Sequence, residues 1–219
     1  PIFLQKLYAL CKQHGILFIS EEVQQAFYRT GKMFGIEHYE GIVPDGIVMG
    51  KSIGASLTLG AFMARAEIID CLPAPAHLFT MGGNALACAA GKAGFDYMCG
   101  SEFQGILARN CTLLAQRAQQ LKEKHEDVIG FVRGLGMSYG MGVVRDGKAD
   151  LDATFKILFR AYEYGLLIIS VAGNILRVQP PLNITEEQLN RGFDIVEQAI
   201  LDLKAGKIPD DVLRYRAGW

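Results

Sequence analysis

The sequence is poor in cysteine, in long apolar runs and in net charge, and each shortage argues against a class of protein. Its five cysteines are scattered and include no C-x-x-C pair, which argues against a disulfide framework and a zinc site. The longest apolar stretches, residues 15–19 and 166–171, are far shorter than the roughly 20 residues that span a bilayer. Twenty-two basic and 23 acidic residues nearly cancel, so no general attraction to nucleic acid or anionic membranes is expected.

The remaining composition is that of a folded protein with a small-molecule ligand. Half of the 219 residues are apolar and 21% are charged, which is enough for one large or two small hydrophobic cores. An odd number of scattered cysteines is typical of reduced thiols, so we expect a cytoplasmic location. The chain starts at Pro1, shows no signal-peptide pattern and enters helical spacing at once, so we expect further residues upstream.

The first hundred or so residues predict helices and buried strands in alternation. Residues 3–13 have helical spacing and are followed by Gly15, a common helix stop. Residues 16–19 form an apolar run, typical of a strand that is buried on both faces of a parallel sheet. Two further strands are predicted at residues 46–49 and 59–64, and an alanine-rich buried helix at residues 84–99.

The rest of the chain predicts an α+β domain. An amphipathic helix is expected over residues 103–124. Thr185 and Gln188 form a capping-box pattern at the start of a last helix. We therefore place a domain boundary at residues 101 and 102. Between these helices the pattern predicts strands at 128–132, 137–144, 166–170 and 175–178, with a helix at 153–164.

Three short segments lie at predicted strand ends or turns, where the fold alone does not require them. Residues 20–24 are acid-rich and follow a strand, the position where open α/β sheets present ligand-binding groups. Gly50-Lys51-Ser52 follows the next strand, and Thr80 precedes a glycine-containing turn. Gly50-Lys51-Ser52 also resembles the end of a phosphate-binding P-loop, but Asp45 stands where that motif needs glycine.

In this order the segments resemble class III aminotransferases, the family of 4-aminobutyrate, ornithine and other omega-amino-acid transaminases. Residues 20–31 resemble the family's Asp-Glu-Val-Gln and Gly-Arg-Thr-Gly, with Glu21 in place of the usual aspartate. Residues 44–51 resemble the segment that ends in the coenzyme lysine. Residues 79–90 resemble its Thr-Phe-x-Gly-Asn-Pro segment, and residues 176–182 resemble its Leu-Arg-x-x-Pro-Pro-Leu.

The resemblance implies an α/β protein of PLP-dependent transferase fold type I, with pyridoxal 5′-phosphate (PLP) as its cofactor. Residues 1–101 would be the C-terminal part of the large, mainly parallel-sheet domain, and residues 102–219 the small α+β domain. The phosphate loop, a stacking aromatic residue and a further acidic motif of the family all precede the matched region. The resemblance also implies a homodimer that takes amino-acid and 2-oxo-acid substrates.

The resemblance also implies a role for each candidate residue. Lys51 would form an imine with the coenzyme aldehyde and move a proton as base and then acid. Glu21 would hold the coenzyme ring nitrogen in its protonated form. The other implied contacts are Val23 on the ring face, Gln24 at the phenolic oxygen, Thr80 at the phosphate across a dimer interface, and Arg177 at the substrate carboxylate.

Several of these residues also have structural interpretations. Val23 and Gln24 could be ordinary strand-end packing and surface residues, and Arg177 an exposed arginine. Thr80 could be the N-cap of the following helix, since threonine often caps helices. The four histidines have no metal-ligand spacing and are interpreted as structural, so no metal site is predicted.

Two other functions compete with transamination. Residues 76–80, residues 172–177 and the terminal Gly218-Trp219 resemble the branched-chain amino-acid 2-epimerases of lactic acid bacteria, such as isoleucine 2-epimerase, which share the coenzyme and fold group. Epimerisation needs a proton to return to the α-carbon from the opposite face. The third interpretation is a non-catalytic fragment that lacks the N-terminal half of the family.

Overall fold

The computed structural model describes residues 2–216, so the terminal Gly218-Trp219 of the epimerase resemblance lies outside the described residues. The chain divides into two compact units, Pro1–Gln104 and Gly105–Trp219, called unit 1 and unit 2 below. The division falls inside a single helix, three residues beyond the boundary predicted from sequence. The domain assignment itself stays a prediction.

Unit 1 contains a three-stranded sheet with two long helices and one short one. The elements are α1 (Ile2–Gln13), β1 (Ile19–Glu21), β2 (Gly46–Met49), β3 (Ala61–Ala64), α2 (Ala66–Ile69) and α3 (Ala85–Cys99), with 3₁₀ turns at Gly35–His38 and Lys51–Gly54. Strands β1 and β2 are parallel, while β2 and β3 are antiparallel, and the strand order is β1-β2-β3. The predicted strand at residues 46–49 has the observed bounds, and the first helix differs by one residue at its start.

A buried aspartate ties three parts of unit 1 together. Asp45 accepts hydrogen bonds from Lys12 Nζ at 2.6 Å and from the backbone N–H of Phe18 at 2.8 Å. Arg65 Nη2 lies 3.0 Å from the same carboxylate. These donors hold the pKa of Asp45 below its usual range, and the hydrogen bond from Lys12 has the largest effect. Asp45, directly before β2, therefore connects helix α1 with the residue before β1 and the residue after β3.

Two expectations about burial in unit 1 are wrong. Residues 16–19 were expected in a strand buried on both faces, but β1 begins only at Ile19, and Ile16, Leu17 and Ile19 are exposed. Among residues 2–216, β1 pairs with β2 alone, so no neighbour covers its far side. The alanine-rich α3 has only Ala87 and Gly91 buried. In both places an apolar sequence indicates a packing partner that the described residues do not supply.

Unit 2 packs helices on an antiparallel five-stranded sheet. The elements are α4 (Ser101–Lys124), which begins in unit 1, β4 (Ile129–Leu135), β5 (Ser138–Arg145), β6 (Lys148–Ala149), α5 (Leu151–Glu163), β7 (Ile169–Val171), β8 (Ile175–Val178), α6 (Glu186–Lys204) and a 3₁₀ helix at Asp210–Tyr215. The strand order is β4-β5-β8-β7, and β6 pairs with β5. The capping box predicted at Thr185 and Gln188 is present at the start of α6.

The core of unit 2 lies between the sheet and helices α4, α5 and α6. Ile157 and Ile200 are fully buried on the helices, as are Met141 and Leu176 on paired strands. A buried Asp202 accepts a hydrogen bond from Tyr164 Oη at 2.6 Å, which lowers the pKa of Asp202 and raises that of Tyr164. Across residues 2–216, no helix is both long and apolar enough to cross a membrane.

Candidate active site

The candidate residues Glu21 and Lys51 lie at the ends of neighbouring parallel strands. Ile19 pairs with Gly46 and Glu21 with Val48, so the carboxyl ends of β1 and β2 lie at one edge of the sheet. Glu21 is the last residue of β1, and Lys51 begins the 3₁₀ turn directly after β2. The sheet therefore brings an acid and an amine, 30 positions apart in the chain, to the same edge.

Val23 and Gly50 connect the two segments. A Cβ atom placed on Gly50 would lie 3.2 Å from Val23 Cγ1, so the backbone before Lys51 passes close to the Val23 side chain. Glycine permits this approach because it has no side chain of its own. Val23 is half-buried, and this contact is the packing that its structural interpretation predicts. The same contact fixes the residue next to Lys51.

Lys51 has an exposed side chain and a left-handed backbone with φ of 48°. This conformation costs a residue with a Cβ atom about 1–2 kcal/mol. Ala55 and Ser56 also have positive φ, so left-handed backbone recurs at the start and at the end of residues 51–56. Strain of this kind is often retained where a side chain must be presented in one direction.

Glu21 is exposed, and its carboxylate turns back toward its own backbone. Its Oε1 atom accepts a hydrogen bond from the N–H of Val23 at 2.7 Å. The carboxylate of the last residue of β1 is therefore held by the backbone N–H of Val23 in the turn that follows. Gln24 is exposed in the same turn.

Thr80 is exposed and does not cap the following helix. The N-cap of α3 is Asn84, whose side chain accepts a hydrogen bond from the N–H of Ala87 at 3.1 Å. The capping interpretation of Thr80 is therefore wrong, because a residue closer to the helix takes that role. Both sequence neighbours of Thr80, Phe79 and Met81, line an open groove of about 700 Å³. The other residues of the groove lie within 57–60 and 82–87.

Arg177 belongs to unit 2 and lies on β8. Its guanidinium donates a hydrogen bond to Gln179 Oε1, and Gln179 Nε2 in turn donates to Ser138 Oγ at 2.6 Å. Gly140 pairs with Arg177 on the neighbouring strand. The predicted carboxylate-binding arginine is thus held by a polar chain along the sheet, and is not a loosely exposed side chain.

Two polar residues of these regions were not assigned a role from sequence. Glu22 is only 2% exposed and accepts hydrogen bonds from backbone N–H groups of a distant turn. Gln179 orients Arg177. Strand alternation indicates that adjacent residues point to opposite faces, so one glutamate of the pair Glu21 and Glu22 had to point inward. This alternation could have predicted that one of the two glutamates is buried, whereas no sequence pattern predicted the hydrogen bond between Gln179 and Arg177.

A sequence model of the family described as "Aminotransferase class-III" matches residues 1–200. The chain belongs to the class III aminotransferases. The family and its enzymes depend on PLP. The fold expectation is confirmed as well, because the chain superposes on ornithine aminotransferase from Toxoplasma gondii ME49 with a TM-score of 0.83, at 27% identity over 94% of this chain and 48% of that one.

Relatives of this chain include enzymes with different activities. It is 36% identical to an isoleucine 2-epimerase of Lentilactobacillus buchneri over 99% of its own length and 49% of the relative. It is 34% identical to an acetylornithine aminotransferase of Caldanaerobacter subterraneus subsp. tengcongensis over 93% and 50% of the two chains. The chain thus spans about half the length of the curated relatives it matches, and the family alone does not select one reaction.

The edge of the unit 1 sheet fits PLP in the kind of groups it offers. An exposed primary amine is the group that reacts with the coenzyme aldehyde, and Lys51 supplies it. A carboxylate is the group that stabilises a protonated ring nitrogen, and Glu21 supplies it at the neighbouring strand end. The apolar Val23 lies between these two segments, against Gly50.

Proposed function

We propose that the chain is the Lys51-bearing half of a PLP-dependent class III aminotransferase of the 4-aminobutyrate aminotransferase type. The observation that carries the proposal is the shared sheet edge of Glu21 and Lys51, supported by the contact of Val23 with Gly50. The amino group would pass from an amino acid to a 2-oxo acid, which becomes the new amino acid. The remaining groups of the site would come from the half of the family fold that this chain does not match.

In this proposal each residue has a defined task. PLP, when bound, supplies the ring that accepts electrons from the substrate α-carbon. Lys51 Nζ would take the proton from the substrate α-carbon as a base and then donate it, as an acid, to the C4′ carbon of the coenzyme. Glu21 would keep the ring nitrogen protonated, and Val23 would pack on the ring face. Gln24 would contact the phenolic oxygen of the coenzyme.

Arg177 would bind the substrate carboxylate. A planar guanidinium can donate two parallel hydrogen bonds to a carboxylate, which fixes its orientation. The hydrogen bond from Arg177 to Gln179 supports this task, because it limits the rotation of the guanidinium before substrate arrives.

Thr80 would donate to the coenzyme phosphate of a second subunit, in a homodimer. The apolar surface around it supports this part of the proposal, since Phe79, Met81 and Leu86 are all about 70% exposed. Exposed apolar groups of this size mark interaction surfaces. Leu86→Glu should therefore convert the dimer to monomers in analytical ultracentrifugation, whereas Glu186→Gln, in a different unit, should not. A dimer that persists in Leu86→Glu contradicts this assignment.

Epimerisation is the second candidate function, because the isoleucine 2-epimerase match covers 99% of this chain. A product assay separates the two reactions in the intact natural protein. With L-isoleucine, 4-aminobutyrate or N-acetylornithine plus 2-oxoglutarate, transamination produces glutamate. Epimerisation instead produces D-allo-isoleucine from L-isoleucine without any 2-oxo acid, as resolved by chiral chromatography.

The non-catalytic interpretation makes a third outcome possible in the same assay. If neither product forms while PLP binds, the proposed function is wrong at the level of the reaction. If PLP does not bind, the coenzyme assignment is wrong too. The cytoplasmic location stays a prediction, supported by the odd number and scattered positions of the five cysteines in the sequence.

A further inference from the structure

Glu22 lies beside the candidate ring-nitrogen partner Glu21 but in the opposite environment. Its side chain is buried, and its carboxylate accepts three hydrogen bonds. Oε2 accepts from the N–H of Gly35 at 2.8 Å, and Oε1 accepts from the N–H of Ile36 at 2.8 Å and from Ser20 Oγ at 3.0 Å. Because both oxygens are occupied by protein donors, Glu22 is not an alternative partner for a coenzyme ring.

The backbone of Glu22 fixes the start of the turn that contains Val23 and Gln24. Its N–H donates to the carbonyl of Val48 on β2 at 2.9 Å, and its own carbonyl accepts from the N–H groups of Gln25 and Ala26 at 3.1 and 2.9 Å. Main chain and side chain together connect Glu22 to β2, to the turn that follows it and to the distant Gly35. One buried residue thus closes both ends of the loop of residues 23–34.

The far end of the loop passes close to the carboxylate of Glu22. A Cβ atom on Gly35 would lie 3.2 Å from Glu22 Oε2 and 3.1 Å from Gln25 Cβ. Glycine at this position permits the close approach because it has no side chain. The position of the turn at Val23 therefore depends on the carboxylate of Glu22, and Val23 packs on Gly50 next to Lys51.

We propose that Glu22 is a positioning residue for the coenzyme site: its buried carboxylate closes the loop of residues 23–34 and so holds Val23 against Gly50, beside Lys51. This inference rests on the proposed function. Glu22 itself touches neither coenzyme nor substrate. Glu22 affects the coenzyme site through Val23. A purely structural role would affect the loop of residues 23–34 alone.

The variants Glu22→Gln and Glu22→Asp test this role in the intact natural protein, with Glu40→Gln as an exposed control in the same unit. Glutamine keeps the length of the side chain but turns one acceptor into a donor that faces an N–H group. Aspartate keeps the charge and loses reach. The first measurement needs no coenzyme: amide hydrogen exchange, resolved by residue, at Val23, Gly35, Ile36 and Gly50.

We expect exchange at Gly35 and Ile36 to accelerate about tenfold to a hundredfold in Glu22→Gln, the range for loss of a hydrogen bond to a charged acceptor. Val23 and Gly50 should also exchange faster. The second measurement is PLP affinity by titration of the coenzyme absorbance, which should weaken in Glu22→Gln, be partly restored in Glu22→Asp and stay unchanged in Glu40→Gln.

Faster exchange that is confined to Gly35 and Ile36, with unchanged PLP affinity, would overturn the inference. If Glu22→Gln does not fold, Glu22→Asp decides by the same two measurements. Failure of the coenzyme assignment looks different, because PLP would then not bind the unmodified protein at all, and failure of the proposed reaction would leave PLP bound without product. If the unmodified protein binds PLP and the variants bind it equally well, only the role of Glu22 is wrong.

Discussion

The two units of this chain divide chemistry and packing between them. Within residues 2–216, seven of the 27 buried apolar side chains lie in unit 1 and the other 20 in unit 2. Of the candidate residues, five belong to unit 1, and Arg177 alone belongs to unit 2. The region with the recognisable chemistry is therefore the region with the smaller core.

Exposed apolar side chains show the reverse distribution. Nineteen of the 28 large exposed apolar side chains in the described residues are in unit 1, among them Ile2, Leu7 and Ile19. The outer edges of β1 and β3 have no strand partner among these residues. Since the relatives are about twice as long, we expect their unmatched half to cover this surface. The residues of one motif are neighbours in the sequence, whereas the apolar side chains that pack around them come from distant parts of the sequence.

The largest expected difference between the units is the cost of truncating a core side chain. Ile157 is fully buried in unit 2, and Ile157→Ala should destabilise that unit by about 2–5 kcal/mol, through lost burial and the cavity left behind. Ile19 is 47% exposed in unit 1, so Ile19→Ala should cost less than about 1 kcal/mol. Urea unfolding followed by hydrogen exchange of each unit measures both. Equal losses of stability in Ile157→Ala and Ile19→Ala would contradict the difference in core between the two units.

The buried aspartates provide a smaller, matched contrast. Asp202→Asn should destabilise unit 2 as a whole, because the hydrogen bond from Tyr164 joins two helices that share a large core. Asp45→Asn should release α1 and the start of β1 without unfolding unit 2, because its partners Lys12 and Phe18 lie there. Peptide-resolved hydrogen exchange distinguishes local release from cooperative loss. If Asp45→Asn increases exchange throughout both units, the division into units is wrong.

The dependence of stability on pH is the smallest effect and sharpens the same contrast. The folded-state pKa values of Asp45 and Asp202 are lowered, so each contributes stability above its unfolded pKa of about 3.9 that is lost as pH falls through the folded value. The pKa of Tyr164 is raised, so its contribution is complete below about pH 10 and is lost as pH rises through the folded value.

Tyr164→Phe should therefore weaken the pH dependence of unit 2 stability at both acid and alkaline pH, and leave the loss of unit 1 stability in acid unchanged. Asp45→Asn should weaken only the loss of unit 1 stability in acid. Unfolding midpoints between pH 3 and 11 provide the measurement. An unchanged alkaline limb in Tyr164→Phe would show that the bond to Asp202 is not the cause.

The sequence predicted elements well where the signal is local. Strands at residues 46–49 and 175–178 have the predicted bounds, and the capping box of Thr185 and Gln188 is confirmed because it depends on side chains three positions apart. Burial of residues 16–19 could not be predicted, since it depends on neighbours far away in the chain. The short β6 and α2 were missed because two or four residues carry no periodicity.

The candidate site shows the same limit. Motif order predicted Glu21 and Lys51, and strand pairing explains why two such segments share an edge. The role of Glu22 could not be predicted, because its partners Gly35 and Ile36 donate through their backbone, which any residue possesses. Close approach of Val23 to Gly50 likewise needed the folded chain.

Borohydride reduction tests most directly whether Lys51 carries the coenzyme. The intact natural protein is loaded with PLP, reduced, digested and mapped by mass spectrometry, with Lys51→Arg as the matched control. We predict that the reduced coenzyme is attached to Lys51 and that Lys51→Arg carries no label. A label on another lysine, or PLP that stays bound but cannot be fixed by reduction, would contradict the account.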